Sequence, residues 1–165
     1  MRNDGKAAEG HVQEALKRIE RTQRATWVRL YDSTSAGYGG GGSLIPEQPG
    51  DYILVRAKSG GTLIEVKSSV VHDTLLDTTL RSVFSENQIA GSRLWQRAGQ
   101  QAICLFYAAN KDLFEIWDMA GIREAFLSPP RQRKLQTNRL SACGSKTTHL
   151  SDMICTTLDY LKGST

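Results

Sequence analysis

The nine-residue run QAICLFYAA, from Gln101 to Ala109, restricts the fold of this chain more than any other segment. The run is almost wholly apolar, which is typical of a central strand that is buried inside a sheet. Other patterns surround it, in the order helix, three strands, helix, the apolar strand, one more strand and a helix. This order predicts an α/β fold, in which helices flank a mixed central β-sheet.

The predicted helices carry apolar residues at helical spacing, and the predicted strands are short runs bounded by turn residues. Helices are predicted at residues 4–24 and 85–97, in MAGIREAFLSPP, and in the closing segment HLSDMICTTLDYLKG. The other strands are predicted at residues 26–32, 51–57 and 62–68 and in LFEIWD. KSGG between the second and third strands is turn chemistry, which predicts a hairpin that is buried on one face.

Composition limits the number of domains and the classes of partner, but it does not indicate a specific function. A length of 165 residues predicts one domain, and a net charge of +4 permits a polyanionic partner without requiring one. Three cysteines without a C-x-x-C pair argue against a disulfide framework. The polar N-terminus and the lack of a long apolar run predict a cytoplasmic protein with no membrane partner. The glycine-rich segment GYGGGGS lacks the G-K-[ST] ending of a P-loop, so no nucleotide cofactor is expected.

The predicted hairpin places acids and a lysine where a sheet would normally present neutral residues. Glu65 and Lys67 share one face of the third strand, because side chains alternate along a strand. Asp51 opens the neighbouring strand and is expected to lie beside Glu65, where two carboxylates repel unless a cation separates them. Oxygen ligands select Mg²⁺ or Mn²⁺, whereas the three scattered histidines lack zinc spacing. A plain surface ion pair between Glu65 and Lys67 is the alternative.

"PGD", which ends at Asp51, and "EVK", which runs from Glu65 to Lys67, together resemble the motif of the PD-(D/E)xK nuclease superfamily. The resemblance implies a restriction-endonuclease-like core that hydrolyses DNA phosphodiesters with Mg²⁺, for which Mn²⁺ can substitute. It implies that Asp51, Glu65 and the backbone carbonyl of Val66 bind the metal, and that Lys67 serves the attacking water. Gly50 between the proline and the acid departs from many members, although the position of the acid is kept.

Two helical residues extend this resemblance. The family's fold begins with a helix that often supplies an acid, and Glu9 borders the buried stripe of the first predicted helix. It is therefore a further candidate metal ligand and catalytic residue, with an ordinary exposed carboxylate as the alternative. FSENQIAGSRLWQRAGQQAICLFY is similar to the downstream motif of Holliday junction resolvases, which makes Gln88 a candidate catalytic residue. The alternative for Gln88 is an amide that packs at the edge of the sheet.

The candidate DNA contacts lie on both sides of the motif. "RLYDS" resembles phage-type and recombination-protein-U-type resolvases, so Arg29 and Asp32 are expected to contact DNA or support the site, unless they form a surface ion pair. Ser68 directly follows the motif lysine. The basic run "PPRQRKLQTNR" is either a solvated loop or a phosphate-binding segment. Its candidate contacts are Arg131, Arg133, Lys134 and Arg139.

The resemblance implies a homodimer that binds four-way DNA junctions, in a bacterial cell or a phage-infected host. Residues 1–128 are predicted to form the nuclease core, and residues 129–165 a basic extension with a closing helix. Three alternatives stay open. The chain could cut other branched, damaged or duplex DNA, could bind DNA without cutting it, or could be an α/β domain with a coincidental motif.

Overall fold

The computed structural model describes residues 4–30, 48–128 and 139–163, which build one six-stranded sheet with helices on both faces. The strands are β1 Ala25–Arg29, β2 Tyr52–Arg56, β3 Gly60–Ser69, β4 Gln101–Ala108, β5 Leu113–Asp118 and β6 Arg139–Gly144. The helices are α1 Asp4–Thr22, α2 Leu80–Val83, α3 Glu86–Arg97, α4 Met119–Leu127 and α5 Thr147–Gly163. A 3-10 turn at Leu75–Asp77 precedes α2.

The strands lie in the sheet in chain order, from β1 to β6. β3 and β4 are parallel, and the other neighbouring pairs are antiparallel. A parallel pair needs a crossover connection, which the 3-10 turn, α2 and α3 supply over one face of the sheet. The predicted α/β fold, with a mixed sheet flanked by helices, is confirmed.

Helices cover both faces of the sheet. On one face, α1 and α5 contribute Leu16, Leu150 and Leu158 to a core with Tyr52 and Ile64. On the other face, α2, α3 and α4 cover Leu63, Cys104, Phe106 and Trp117. The prediction that the hairpin is buried on one face therefore holds for β2, where Val55 is 45% exposed, and is wrong for β3. Leu63 and Ile64 point to opposite faces of β3, and both are at most 2% exposed.

Local sequence signals set the ends of the elements near the hairpin. Gly60 has a φ of +75° and begins β3 after the tight turn, a conformation that residues with a Cβ rarely adopt. Ser85 caps α3, since its hydroxyl accepts a hydrogen bond from Gln88 N at 3.1 Å. Gly99 follows the end of α3 with a φ of +77°, as predicted for a helix C-terminus.

The C-terminal segment contributes to the same sheet and core. β6 pairs with β5, and the predicted closing helix is present as α5, which packs against α1. The division of the chain into a core and an extension stays a prediction. Among the described residues, no helix is both long and apolar enough to cross a membrane.

Candidate active site

The hairpin register brings Asp51 opposite Glu65. Tyr52 pairs with Ile64, and the backbone N–H of Asp51 donates to the carbonyl of Ile64 at 2.9 Å. The Oδ2 atom of Asp51 accepts a hydrogen bond from the backbone N–H of Val66 at 2.7 Å. The carboxylate of Asp51 therefore continues the ladder where the backbone of β2 has ended.

β3 is longer than its neighbour β2, and this difference opens the site. From Glu65 to Ser69, β3 pairs with β4 on one side, whereas the pairing with β2 ends at Ile64. The N–H and C=O of one strand residue point to the same side. The N–H of Val66 faces Asp51, so its carbonyl is directed to that open side as well.

A close helix contact fixes the segment that carries Asp51. A Cβ atom at Gly91 of α3 would lie 2.5 Å from Cβ of Pro49, which no side chain tolerates without movement. A Cβ atom at Gly50 would lie 3.0 Å from Cδ1 of Leu63. The two glycines therefore let α3, the segment before β2, and β3 approach each other closely. The Gly50 departure from the motif thus has a packing reason.

Glu65, Lys67 and Gln88 form a compact polar cluster. The Oε1 atom of Glu65 lies 2.7 Å from Nζ of Lys67 and accepts a hydrogen bond from Nε2 of Gln88 at 2.6 Å. Nζ of Lys67 also donates to Oε1 of Gln88 at 3.2 Å. Each of the three side chains thus contacts the other two. Glu65, the acid of this cluster, is only 3% exposed.

Gln88 connects this cluster to the start of α3. Its Oε1 atom accepts from the backbone N–H of Ser85 at 3.1 Å, in the capping box that begins the helix. The same amide therefore orients Lys67 and satisfies a backbone donor at the helix end. Lys67 also lies over the ring of Phe84, with Nζ 5.4 Å from the ring centroid. These contacts limit the freedom of a lysine side chain that is still 20% exposed.

Glu9 and Arg29 form an ion pair next to Asp51. This pair was not predicted, and the ion pair of Arg29 with Asp32 stays untested because Asp32 lies outside the described residues. Burial raises the pKa of the Asp51 carboxyl, and the charge of Glu9 raises it further. The hydrogen bond from Val66 N–H and the charges of Lys67 and Arg29 lower this pKa, but burial outweighs them. Loss of water is thus the main electrostatic cost of ionising Asp51.

The donor set fits a hard divalent cation that keeps several of its waters. Asp51, Glu65 and the Val66 carbonyl offer oxygen, which Mg²⁺ prefers over nitrogen and sulfur. Within residues 4–30, 48–128 and 139–163, no three His, Cys, Asp or Glu side chains lie close enough to hold a metal. Mg²⁺ commonly binds through one or two carboxylates and keeps several waters, so two acids suffice. The burial cost of the Asp51 charge is what a cation there would offset.

The other predicted contacts are dispersed. Ser68 lies on β3 immediately after Lys67. Arg139 lies on the edge strand β6, where its NH1 atom contacts Oε1 of Glu115 at 3.2 Å and its side chain is 48% exposed. Lys67 pairs with Phe106 of β4, which pairs with Glu115 of β5. Glu115, the partner of Arg139, therefore lies on the same sheet face as Lys67, two strands or roughly 10 Å away. Asp32, Arg131, Arg133 and Lys134 lie outside the described residues.

Glu115 is a buried acid that sequence reasoning did not single out. It is 1% exposed, and its Oε2 atom accepts from Thr74 Oγ1, Leu75 N and Trp117 Nε1 at 2.9 to 3.1 Å. The signal was available, since LFEIWD sets one acid among apolar residues in a predicted strand. Glu115 holds the segment after β3 in place.

A comparison with solved structures gives distant likenesses, and a Holliday junction resolvase is among them. The Holliday junction resolvase Hjc from the archaeal hyperthermophile Archaeoglobus fulgidus matches with 13% identity and a TM-score of 0.43. The match covers 68% of this chain and 78% of that resolvase. No protein-family model matches the chain, and no curated protein matches it significantly. A likeness of this size does not establish a shared function.

Proposed function

We propose that this chain is a Mg²⁺-dependent DNA endonuclease that cuts four-way junctions. The observation that carries the proposal is the convergence of Asp51, Glu65 and Lys67 at the open end of β3. An acid pair and a lysine, with a backbone carbonyl between them in sequence, match what phosphodiester hydrolysis requires. Gln88 adds a fourth polar group that contacts two of them.

Asp51, Glu65 and the carbonyl of Val66 would hold the cation, and Mn²⁺ would serve in its place. Bound there, Mg²⁺ would polarise a phosphoryl oxygen and lower the pKa of a water molecule. Glu9 is a further candidate ligand if its carboxylate exchanges Arg29 for the cation. Arg29, once separated from Glu9, would contact a phosphate near the site.

Lys67 supplies positive charge and proton donors where the phosphate would react. Its ammonium either orients the attacking water or stabilises the charge that develops on the phosphate oxygens. Gln88 acts as a positioning residue, because its Oε1 atom accepts from Lys67 while its Nε2 atom donates to Glu65. This bridge would hold Lys67 at the site if Glu65 bound a cation.

Basic residues around the site would bind the DNA backbone. Arg29 and Ser68 lie on the sheet face that α1 covers, whereas Arg139 lies on the face of Lys67, towards β6. Arg131, Arg133 and Lys134 are the remaining proposed contacts. Phosphate contacts position a protein without reading sequence, which suits an enzyme that selects DNA by shape. Each such contact steepens the loss of binding with salt.

A four-way junction is resolved by two symmetric incisions, so the proposal includes a homodimer with one site per protomer. The runner-up is a nuclease of the same type that cuts other branched, damaged or duplex DNA. A DNA-binding protein without activity is the third candidate. The intact set of Asp51, Glu65 and Lys67 favours an active enzyme over this third candidate.

The test is cleavage of a labelled four-way junction beside a linear duplex of matched sequence, with Mg²⁺ or with EDTA. Wild type is compared with Lys67→Ala. Lys17→Ala serves as the matched control, because Lys17 also pairs with an acid at 2.7 Å but on the exposed face of α1. The expected result is paired symmetric nicks in the junction alone, lost with EDTA and with Lys67→Ala and kept with Lys17→Ala.

Other outcomes separate the candidates. Equal cleavage of junction and duplex would keep the nuclease and overturn junction selectivity. Binding without cleavage in any divalent metal would indicate the inactive DNA-binding protein. Cleavage that survives Lys67→Ala would place the active site elsewhere.

A further inference from the structure

A groove rich in arginine lies on the helical face that α2, α3 and α4 form. We call it the arginine groove. It has a volume of about 490 Å³ and runs between α3 and α4, with α2 at one end. It is large enough for several side chains of a bound segment.

The floor and walls of the arginine groove are apolar. Ile89 and Phe126 are buried in its floor, each 5% exposed. Leu94 on α3 is 66% exposed and Leu127 on α4 is 65% exposed, so two large apolar side chains line the groove and face water. Exposed leucines on two adjacent helices are the arrangement expected where another apolar surface docks.

Positive charge dominates the arginine groove. Four arginines and one acid line it, namely Arg81, Arg93, Arg97, Arg123 and Glu86. Arg81 stacks over the ring of Phe126, with its guanidinium carbon 4.9 Å from the ring centroid. Arg123 is oriented by a hydrogen bond to Oε1 of Gln96 at 2.7 Å. Two of the four guanidinium groups are thus held in place.

α3 separates the groove from the candidate active site. At 3.6 residues per turn, Arg93 and Arg97 lie about 140° and 180° around the helix from Gln88. Gln88 faces Glu65 and Lys67, whereas Arg93, Leu94 and Arg97 line the groove. Changes in the groove therefore leave the polar cluster intact.

We infer that the arginine groove docks an acidic, amphipathic helix of a partner protein. Leucines of such a helix would pack against Leu94, Leu127 and Phe126, and its carboxylates would pair with the arginines at the rim. Charge complementarity predicts an acidic partner, because four positive charges and one negative charge line the groove. DNA fits less well, since phosphates and sugars gain nothing from an apolar floor.

The test measures binding of the full chain to a synthetic, labelled helical peptide of about 18 residues, with leucines at helical spacing and glutamates elsewhere. A second peptide carries lysine in place of glutamate. The groove variant is Arg93→Glu with Arg97→Glu, and the matched control is Lys17→Glu with Arg21→Glu, at the same spacing on exposed α1. Leu94→Ser tests the apolar part alone.

The expected result is binding of the acidic peptide only, weakened about tenfold or more by the groove variant and by Leu94→Ser, and unchanged by the control. Equal binding of both peptides, equal effects of both double variants, or no binding at all would overturn the proposal. Binding of a labelled linear duplex that is lost in the groove variant alone, without peptide binding, would assign the groove to DNA instead. Junction cleavage by the groove variant at the wild-type rate would separate the groove from the proposed nuclease site.

Discussion

Two acids are buried on the same face of the sheet, and their surroundings differ. Glu65 on β3 and Glu115 on β5 are 3% and 1% exposed. Both contact a cationic side chain, Lys67 in one case and Arg139 in the other. Burial and ion pairing alone therefore do not distinguish a structural acid from a functional one.

Glu115 is held by donors that belong to fixed structure. Thr74 and Leu75 come from the 3-10 turn, Trp117 comes from the same strand, and Arg139 comes from β6. Such a carboxylate ties three segments together. These hydrogen bonds offset the free-energy cost of removing the Glu115 carboxylate from water.

Glu65 shares one oxygen between two side chains that belong to the site itself, Lys67 and Gln88. It also lies opposite Asp51, at the point where β3 loses its partner β2. The two contacts of Glu65 come from side chains of the site, whereas the donors to Glu115 come from three segments and include a backbone N–H, so we expect Glu65 to exchange partners more readily. We therefore propose Glu65 as the functional acid because of its exchangeable partners at an open strand end, and not because of its burial.

The largest expected effect comes from Glu65→Gln. We expect this change to slow junction cleavage by about a thousandfold, or about 4 kcal/mol in the barrier, because it removes a proposed metal ligand. Stability should change little, since the amide can still contact Gln88. Glu14→Gln, at an exposed acid that pairs with Lys17, is the control and should leave cleavage unchanged. Cleavage by Glu65→Gln at the wild-type rate would remove Glu65 from the site.

Glu115→Gln should show the opposite pattern. One of its two terminal atoms becomes an N–H donor that faces donors, so we expect a loss of about 2 kcal/mol in the free energy of unfolding. Urea denaturation measures this loss. Cleavage below the unfolding transition should stay near the wild-type rate. Lost cleavage in a fully folded variant would contradict the structural assignment of Glu115.

Gly91→Ala tests the packing that carries Asp51. Its Cβ would collide with Pro49, an overpacking cost of about 2 kcal/mol that the better helix propensity of alanine offsets by about 1. We expect a net destabilisation of about 1 kcal/mol and slower cleavage, since Gln88 lies one turn away. Gly10→Ala on α1 is the matched control, because a Cβ there meets nothing within 4 Å. It should stabilise the chain by about 0.5–1 kcal/mol, and equal effects of both changes would refute the packing argument.

The smallest expected effect is on stability. We expect Asp51→Asn to increase the free energy of unfolding slightly at neutral pH, measured without metal. Burial raises the pKa of Asp51 above its ordinary value of 3.8, so the folded chain binds a proton more tightly than the unfolded chain. Stability of the wild type therefore falls as pH rises from 3.8 through the raised pKa, and Asp51→Asn lacks this loss. Thermal melts of both proteins across this pH range measure the difference. A variant that is less stable than wild type at neutral pH would contradict the role of burial.

The sequence predicted the elements that carry a strong local pattern. α1 and α3 have regular apolar spacing, and the hairpin turn needs the positive φ that Gly60 supplies. β6 was missed because it is a six-residue edge strand whose pairing with β5 no local pattern records. The burial of both faces of β3 was missed for a related reason, since it depends on how α2, α3 and α4 pack.

Some contacts of the candidate site could be predicted from the sequence and others could not. Asp51 lies opposite Glu65 because of the strand register, and the short turn allows this register to be predicted from the sequence. Contacts between side chains of distant segments do not follow, and the Glu9–Arg29 ion pair next to Asp51 is an example. LFEIWD marks Glu115 as an acid among apolar residues, but the contacts of Glu115 do not follow from the sequence because its donors come from segments up to 41 residues away.

The most direct test of the central comparison is Mn²⁺ binding, measured by electron paramagnetic resonance on wild type, Glu65→Gln and Glu115→Gln at equal folded concentration. We expect wild type and Glu115→Gln to bind Mn²⁺ alike, Mg²⁺ to displace it, and Glu65→Gln to lose this binding. Binding that persists in Glu65→Gln, or that disappears in folded Glu115→Gln, would contradict the proposed roles of the two acids.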